Sequence, residues 1–283
     1  MNNIQLNNNI KYKFFDRNHI EEHTLSLFLG KDELSYCIKE NATANVLLLK
    51  SFRLSGVENF FTYKLLVKDF FDQEALPDNF QSVQALLNFA PYTLVPDTFF
   101  DAGKVEKYFT LNHSIENGGR LQTDAIDTIK AHIIYAVDYY VMDVLEDAFP
   151  QVRLQHSATA FLSQIYRDLP YNSGKTMWVN MQKKHIDLAA LNDGNLQLFN
   201  TYYYETPADL LYYLLNVAQQ TGFERNENTL TLSGDITPDF PNYKICEKYF
   251  KQIRLARRPV TQQYCQELDV LPQQYHYNLF AVG

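Results

Sequence analysis

Two stretches of this chain, one opening at Thr24 and the other at Thr176, read through the same succession of elements. A repeated supersecondary unit of this kind leaves few folds open. In the first copy, residues 24–30 (TLSLFLG) and 33–39 (ELSYCIK) are apolar runs parted by Lys31 and Asp32, which predicts a β-hairpin. A third run, 44–54, carries Val46, Leu47, Leu48 and Leu49 and stops at Ser55-Gly56. From Val57 to Glu74 the residues Val57, Phe60, Phe61, Leu65, Phe70 and Phe71 recur at near-helical spacing. A short strand about Thr93–Val95 follows, and Asp97 is placed to cap a helix running through Phe109.

The second copy predicts strands over 176–182, 185–191 and 196–204, with the tight turn Asn192-Asp193-Gly194 joining the last two. Thr206, Pro207 and Asp209 then mark a helix start, Leu210, Leu211, Leu214, Leu215 and Ala218 form its buried stripe, and Gly222 ends it. A strand at 229–233 runs into Gly234-Asp235, and a helix is expected from about 241 to 252. Between the copies lie strand-like runs at 121–127 and 131–138, a helix from Tyr139 that stops before Pro150, a strand near 152–155, and a helix capped by Ser157 or Thr159. The loop 170–174 (PYNSG) is the natural boundary, giving lobes of residues 1–170 and 171–283, and 276–282 reads as a final strand. A cleft between two such lobes is the usual place for a ligand.

Composition narrows the function. The net charge of −8, from 25 basic against 33 acidic residues, repels a polyanion, so nucleic acid is disfavoured as a partner. The start MNNIQLNNNIKYKFF lacks an apolar core, and no apolar run approaches the ~18 residues that span a bilayer, so a cytoplasmic protein without membrane segments is expected. Cys37, Cys246 and Cys265 are far apart with no metal or redox spacing, which predicts buried or idle thiols. Tyr202, Tyr203 and Tyr204 alternate along a strand and fit packing on both faces of a sheet better than a stacking platform.

Strand-strand-strand-helix-strand-helix, present twice, resembles the actin, sugar kinase and heat-shock ATPase superfamily. The resemblance implies an α/β protein of duplicated actin-like (ribonuclease H-like) lobes, each a mixed five-stranded sheet flanked by helices. Its first phosphate loop has the form apolar, x, apolar, Asp, apolar, Gly. Leu25, Ser26, Leu27, Phe28, Leu29 and Gly30 keep that frame, with Phe28 where the metal-serving Asp belongs. A phenyl ring cannot hold hydrated magnesium. The second phosphate loop falls on Val179 to His185, where Asn180 replaces the acid, and Gln182, Lys183 and Lys184 replace small residues whose backbone would approach phosphate. The adenosine loop is best kept, as Leu230, Thr231, Leu232, Ser233, Gly234, Asp235 with one of its glycines.

The stretches LTLSGDITPDFPNYKICEKYF and PYTLVPDTFF further resemble a family of bacterial proteins with this fold and no assigned activity. Similar degenerate lobes occur in cytoplasmic assembly proteins of pilus and secretion systems, which implies partner binding. Two readings follow. One is a non-catalytic scaffold with a protein partner and no cofactor. The other is an ATPase or kinase-like switch that still binds ATP and magnesium in the cleft between the lobes through Gly30, Lys31, Asp32, Asn180, Lys183, Lys184, Ser233, Gly234 and Asp235.

Several motifs mislead. His19-Ile20-Glu21-Glu22-His23 spells a zinc peptidase signature, but it leads into a strand where a helix is needed. Ser173-Gly174-Lys175-Thr176 ends like a Walker loop, yet a strand follows it. Lys248, Lys251, Arg254, Arg257 and Arg258 read as a solvated helix end and loop ahead of a weaker nucleic-acid or phosphate site, and His185 with Asp187 equally as an acid-base pair or as neighbours facing solvent from one face of a strand.

Overall fold

In the computed structural model, residues 3–16, 18–89, 91–116, 118–169 and 174–282 are described. The expected lobe boundary at 170–174 lies, apart from Gly174, outside them. The chain forms two compact units, residues 1–160 with 261–268 and 282, and residues 161–260 with 269–281 and 283.

The first unit contains β1 (Ile4–Lys11), β2 (His23–Gly30), β3 (Glu33–Glu40), β4 (Asn45–Leu54), α1 (Phe60–Glu74), β5 (Ser82–Asn88), β6 (Tyr92–Pro96), α2 (Val105–Thr110), β7 (Arg120–Ile126), β8 (Ala131–Val137), α3 (Tyr139–Ala148) and β9 (Arg153–His156). Helix α4 (Ser157–Asp168) follows, and the division between the units runs through it. The main sheet has the order β1-β4-β3-β2-β5-β9, with β2, β3 and β4 antiparallel and β2, β5 and β9 parallel. Helix α1 starts where a capping box allows it: Thr62 N–H donates to Asn59 Oδ1 at 2.9 Å, and Asn59 N–H donates back to Thr62 Oγ1 at 3.1 Å. Its inner face buries Tyr63, Val67 and Phe70, the last packing edge-on against Tyr36 and Phe52 of the sheet. Full burial of one such side chain contributes about 1.5–3 kcal/mol.

The second unit contains β10 (Lys175–Met181), β11 (His185–Asn192), β12 (Asn195–Tyr203), α5 (Pro207–Thr221), β13 (Thr229–Gly234), α6 (Pro241–Tyr249), β14 (Gln252–Leu255) and α7 (Tyr277–Phe280). Its sheet order is β12-β11-β10-β13-β14. The succession β4-β3-β2-β5-β9 in the first unit is the same order with the same strand directions, so the repeat read in the sequence is a repeat of topology. Asp193 and Gly194 both take positive φ (48° and 78°), the geometry of the two-residue hairpin turn that an Asp-Gly pair favours. The start and stop expected for α5 are present: Thr206 and Asp209 form a capping box, Pro207 opens the helix, and Gly222 closes it at φ 63°. Leu210, Leu214, Met177, Val179, Leu230 and Leu232 form the core beneath it. The two-residue strand β15 (Gln263–Tyr264) pairs with β4 and belongs to the first unit.

Four expectations are corrected. The fourth strand of the first copy is β5, not the segment about Thr93–Val95, which joins a separate three-stranded sheet, β6-β8-β7, between β5 and β9. Asp97 caps no long helix; its carboxylate meets His132 Nε2 at 3.2 Å, and the chain makes short 3-10 turns until Asp101 accepts from Gly103 N–H at 2.9 Å. Helix α6 ends at Tyr249, because 252–255 is drawn into the sheet as β14. Residues 277–280 are a short helix, not a strand: all four are buried, which removes alternation, and Phe280 N–H bonds back to His276 O at 3.0 Å. No helix among the described residues is long and apolar enough to cross a membrane.

Candidate functional site

In the first unit the β2–β3 turn carries Gly30, Lys31 and Asp32. Gly30 pairs with Asn88 of β5, and a Cβ on it would lie 3.3 Å from Glu33 O and 3.5 Å from the Phe28 ring. Its backbone is not left-handed, so the glycine accommodates neighbours and supplies no special turn. Phe28 is buried, and the interstice it lines with Ser35, Phe70 and Phe71 is too narrow for water. Lys31 Nζ lies 5.3 Å from the centroid of Phe60, and Asp32 O accepts from Leu54 N–H at 2.9 Å.

In the second unit the β10–β11 turn is a tight one. Gln182 N–H donates to His185 O at 3.0 Å, Tyr204 N–H to Lys184 O at 3.0 Å, and the Tyr204 hydroxyl to Gln182 O at 2.7 Å. Burial, with Asp235 nearby, pushes that hydroxyl up to about 12, so it stays a donor. Lys183 and Lys184 are exposed, and no residue from 180 to 185 has positive φ. A backbone cradle for phosphate needs alternating right- and left-handed residues, which this turn lacks.

Behind the turn, four polar side chains cross the sheet in a row, three of them buried (Asp187, Asn180 and Ser233) and Thr201 half-buried. Thr201 Oγ1 donates to Asp187 Oδ1 at 2.7 Å, Asn180 Nδ2 donates to Asp187 Oδ2 at 3.4 Å, and Ser233 Oγ donates to Asn180 Oδ1 at 3.2 Å. Asn180 is 1% exposed and both its amide atoms are bonded. Asp187 therefore serves Thr201 and Asn180, while the His185 ring packs 5.6 Å from Tyr203. The strand pattern held the signal for this row: β10 and β13 place Trp178, Asn180, Thr231 and Ser233 between apolar residues at every second position.

The loop after β13 is closed by its own backbone. Gly234 has φ 82°, and a Cβ there would lie 2.2 Å from Met181 O and 2.8 Å from Asn180 Oδ1. Asp235 N–H donates to Met181 O at 2.9 Å, Ile236 N–H to Gly234 O at 2.9 Å, and Gly234 N–H to Gln274 O at 2.9 Å. Asn180, Ser233, Gly234 and Asp235 thus meet around the end of β10, with Lys183 and Lys184 beyond them on the turn. Gln274 had no motif to reveal it.

The other motifs resolve as structure. His23 opens β2 after a three-residue turn and its Nδ1 lies 2.7 Å from His19 O. No cluster of three or more acidic, histidine or cysteine side chains able to hold a metal occurs among the described residues. The basic run is divided. Arg254 lies on β14, exposed and 5.4 Å from the Trp178 ring, whereas Arg258 is buried with Nη2 donating to Leu271 O at 3.0 Å, so Arg258 is not the solvated residue expected. All three cysteines are free and buried, with burial pushing Cys37 and Cys246 up to about 12.

Over residues 12–253 the sequence matches a family described as a protein of unknown function, DUF3822. The chain belongs to the DUF3822 family. Among solved structures, this DUF3822 chain is similar to a Bacteroides thetaiotaomicron protein with actin-like ATPase fold and unknown function, with TM-score 0.77 and 20% identity over 86% of this chain and 94% of that one. A PilM-PilN type IV pilus biogenesis complex aligns at TM-score 0.58 and 9% identity, covering 91% of this chain and 97% of that one. The ethanolamine utilization protein EutJ from Carboxydothermus hydrogenoformans aligns at TM-score 0.50 and 8% identity, covering 95% and 92%. No curated protein matches the DUF3822 chain in sequence. At these identities the likeness establishes the fold: an actin-like ATPase fold, as the repeated sheets indicate.

Proposed function

We propose that this chain is a non-catalytic actin-like scaffold that binds a protein partner. The observation that carries the reading is what stands in the two acid positions of the phosphate loops. Phe28 is buried in the apolar layer of its sheet, and Asn180 is buried with both amide atoms bonded to Asp187 and Ser233. Neither offers an oxygen to a hydrated magnesium ion, which needs near-octahedral oxygen ligands. The free, buried thiols fit a reducing compartment such as the cytoplasm. The similar pilus protein is found in a two-protein complex, which favours partner binding as the use of such a fold.

The second reading, a nucleotide-binding switch, rests on Lys183 and Lys184, exposed at the turn where charge would attract an anion. Calorimetric titration with ATP and ADP, with and without magnesium, separates the two. The scaffold gives no heat at millimolar nucleotide. Magnesium-dependent heat that disappears in a Lys183→Ala/Lys184→Ala double variant would overturn it and establish the switch.

A further inference from the structure

The loop after β13, which the resemblance assigns to adenosine, presents three consecutive amides, and each has an acceptor within its own unit: Gly234 with Gln274 O, Asp235 with Met181 O, and Ile236 with Gly234 O, all at 2.9 Å. Gln274 answers in kind, its Nε2 donating to Ile236 O at 2.5 Å, and the side chain is 2% exposed. One residue therefore clasps the loop twice, by main chain and by side chain. The segment that presents it is anchored on both sides. Upstream, Arg258 Nη2 donates to Leu271 O at 3.0 Å and Arg258 Nη1 lies 3.4 Å from Asp269 Oδ1. Within it, Tyr275 N–H closes a turn onto Pro272 O at 3.1 Å, and His276 adopts φ 56°. Downstream, the Tyr277 hydroxyl donates to Asp168 Oδ2 at 2.6 Å.

We infer that residues 271–276 are a strap that fills the loop after β13 from within the chain, Gln274 taking the amide and carbonyl contacts that an adenine nucleotide would need there. A backbone N–H already bonded to a buried carbonyl gives a ligand nothing until that bond breaks, and a buried carbonyl stripped of its donor is costly. The strap makes the loop complete without ligand. The inference deepens the scaffold reading by supplying the reason that its loop stays shut.

Amide hydrogen exchange on the full chain tests it, with and without millimolar ATP and magnesium, alongside a Gln274→Met variant that keeps the volume and removes the Nε2 donor. The expected result is a slowly exchanging Gly234 amide in the wild type, unchanged by ATP, and exchange at 234–236 roughly fivefold to tenfold faster in the variant with β10–β12 unaltered. Gly234 exchanging at the rate of open chain, or slowed further by ATP, overturns the strap. Should the variant not fold, the wild-type measurement with and without ATP decides alone. Binding heat with unchanged exchange at 234–236 would overturn the scaffold reading and leave the strap standing. Open-chain exchange at Gly234 without heat would do the reverse.

Discussion

In both units the chain leaves the fourth strand of the repeat at its C-terminal end, β5 at Asn88 and β13 at Gly234. The first exit is secured by side chains: Asn88 Oδ1 accepts from Ser157 Oγ at 2.7 Å, and the chain then travels through a separate three-stranded sheet before returning as β9. The second exit is secured by backbone: Gly234 sits against Met181 O, and the short helix α6 leads directly to β14. Side-chain closures can be altered by degrees, whereas a backbone closure tolerates no added atom. Identical topology therefore produces one permissive exit and one strict one.

The largest expected effect is at the strict exit. Gly234→Ala puts a methyl group into Met181 O at a left-handed backbone position and should cost more than about 4 kcal/mol or abolish folding, read from urea midpoints. Next is the strap's His276, which burial and the Arg258 guanidinium lower from 6.5 to about 4. Because its folded value lies below the unfolded one, its contribution is intact above pH 6.5 and lost as pH falls towards 4. Wild type should lose roughly 2–3 kcal/mol over that interval beyond what a His276→Asn variant loses, since asparagine tolerates positive φ and does not titrate. At the permissive exit, Asn88→Ala should cost about 1 kcal/mol in the same urea experiment. Gly30→Ala, with ordinary backbone and a Cβ only 3.3 Å from Glu33 O, should stay within about 0.5 kcal/mol of wild type. A Gly30→Ala loss as large as that of Gly234→Ala would erase the contrast.

Much of this fold is legible in the residues because its signals are local. The Asp193-Gly194 turn, the Thr206-to-Gly222 helix and the hairpin at Lys31-Asp32 each carry their own punctuation. Strand β5 escapes because Ser82–Asn88 (SVQALLN), paired with strands on both sides, lacks clean alternation, while the nearby Tyr92–Pro96 between two prolines looks more like a strand. In the candidate site, Asn180, Ser233 and Gly234 are found through the frame of the phosphate and adenosine loops. Thr201, Asp187 and Gln274 are not, since their roles depend on register and on contact across as many as 40 positions of chain, from Gly234 to Gln274.

The parallel pairing of Gln263 and Tyr264 with Asn45 and Val46 sets a condition on synthesis. During translation the ribosome delivers the whole second sheet, through Leu255, before it delivers the last strand of the first unit. The first unit must therefore wait with one edge of β4 unfinished while its neighbour becomes available to fold. A fragment of residues 1–160 repeats that waiting state permanently, whereas a circular permutant that begins at Thr261 would present β15 first and remove the delay.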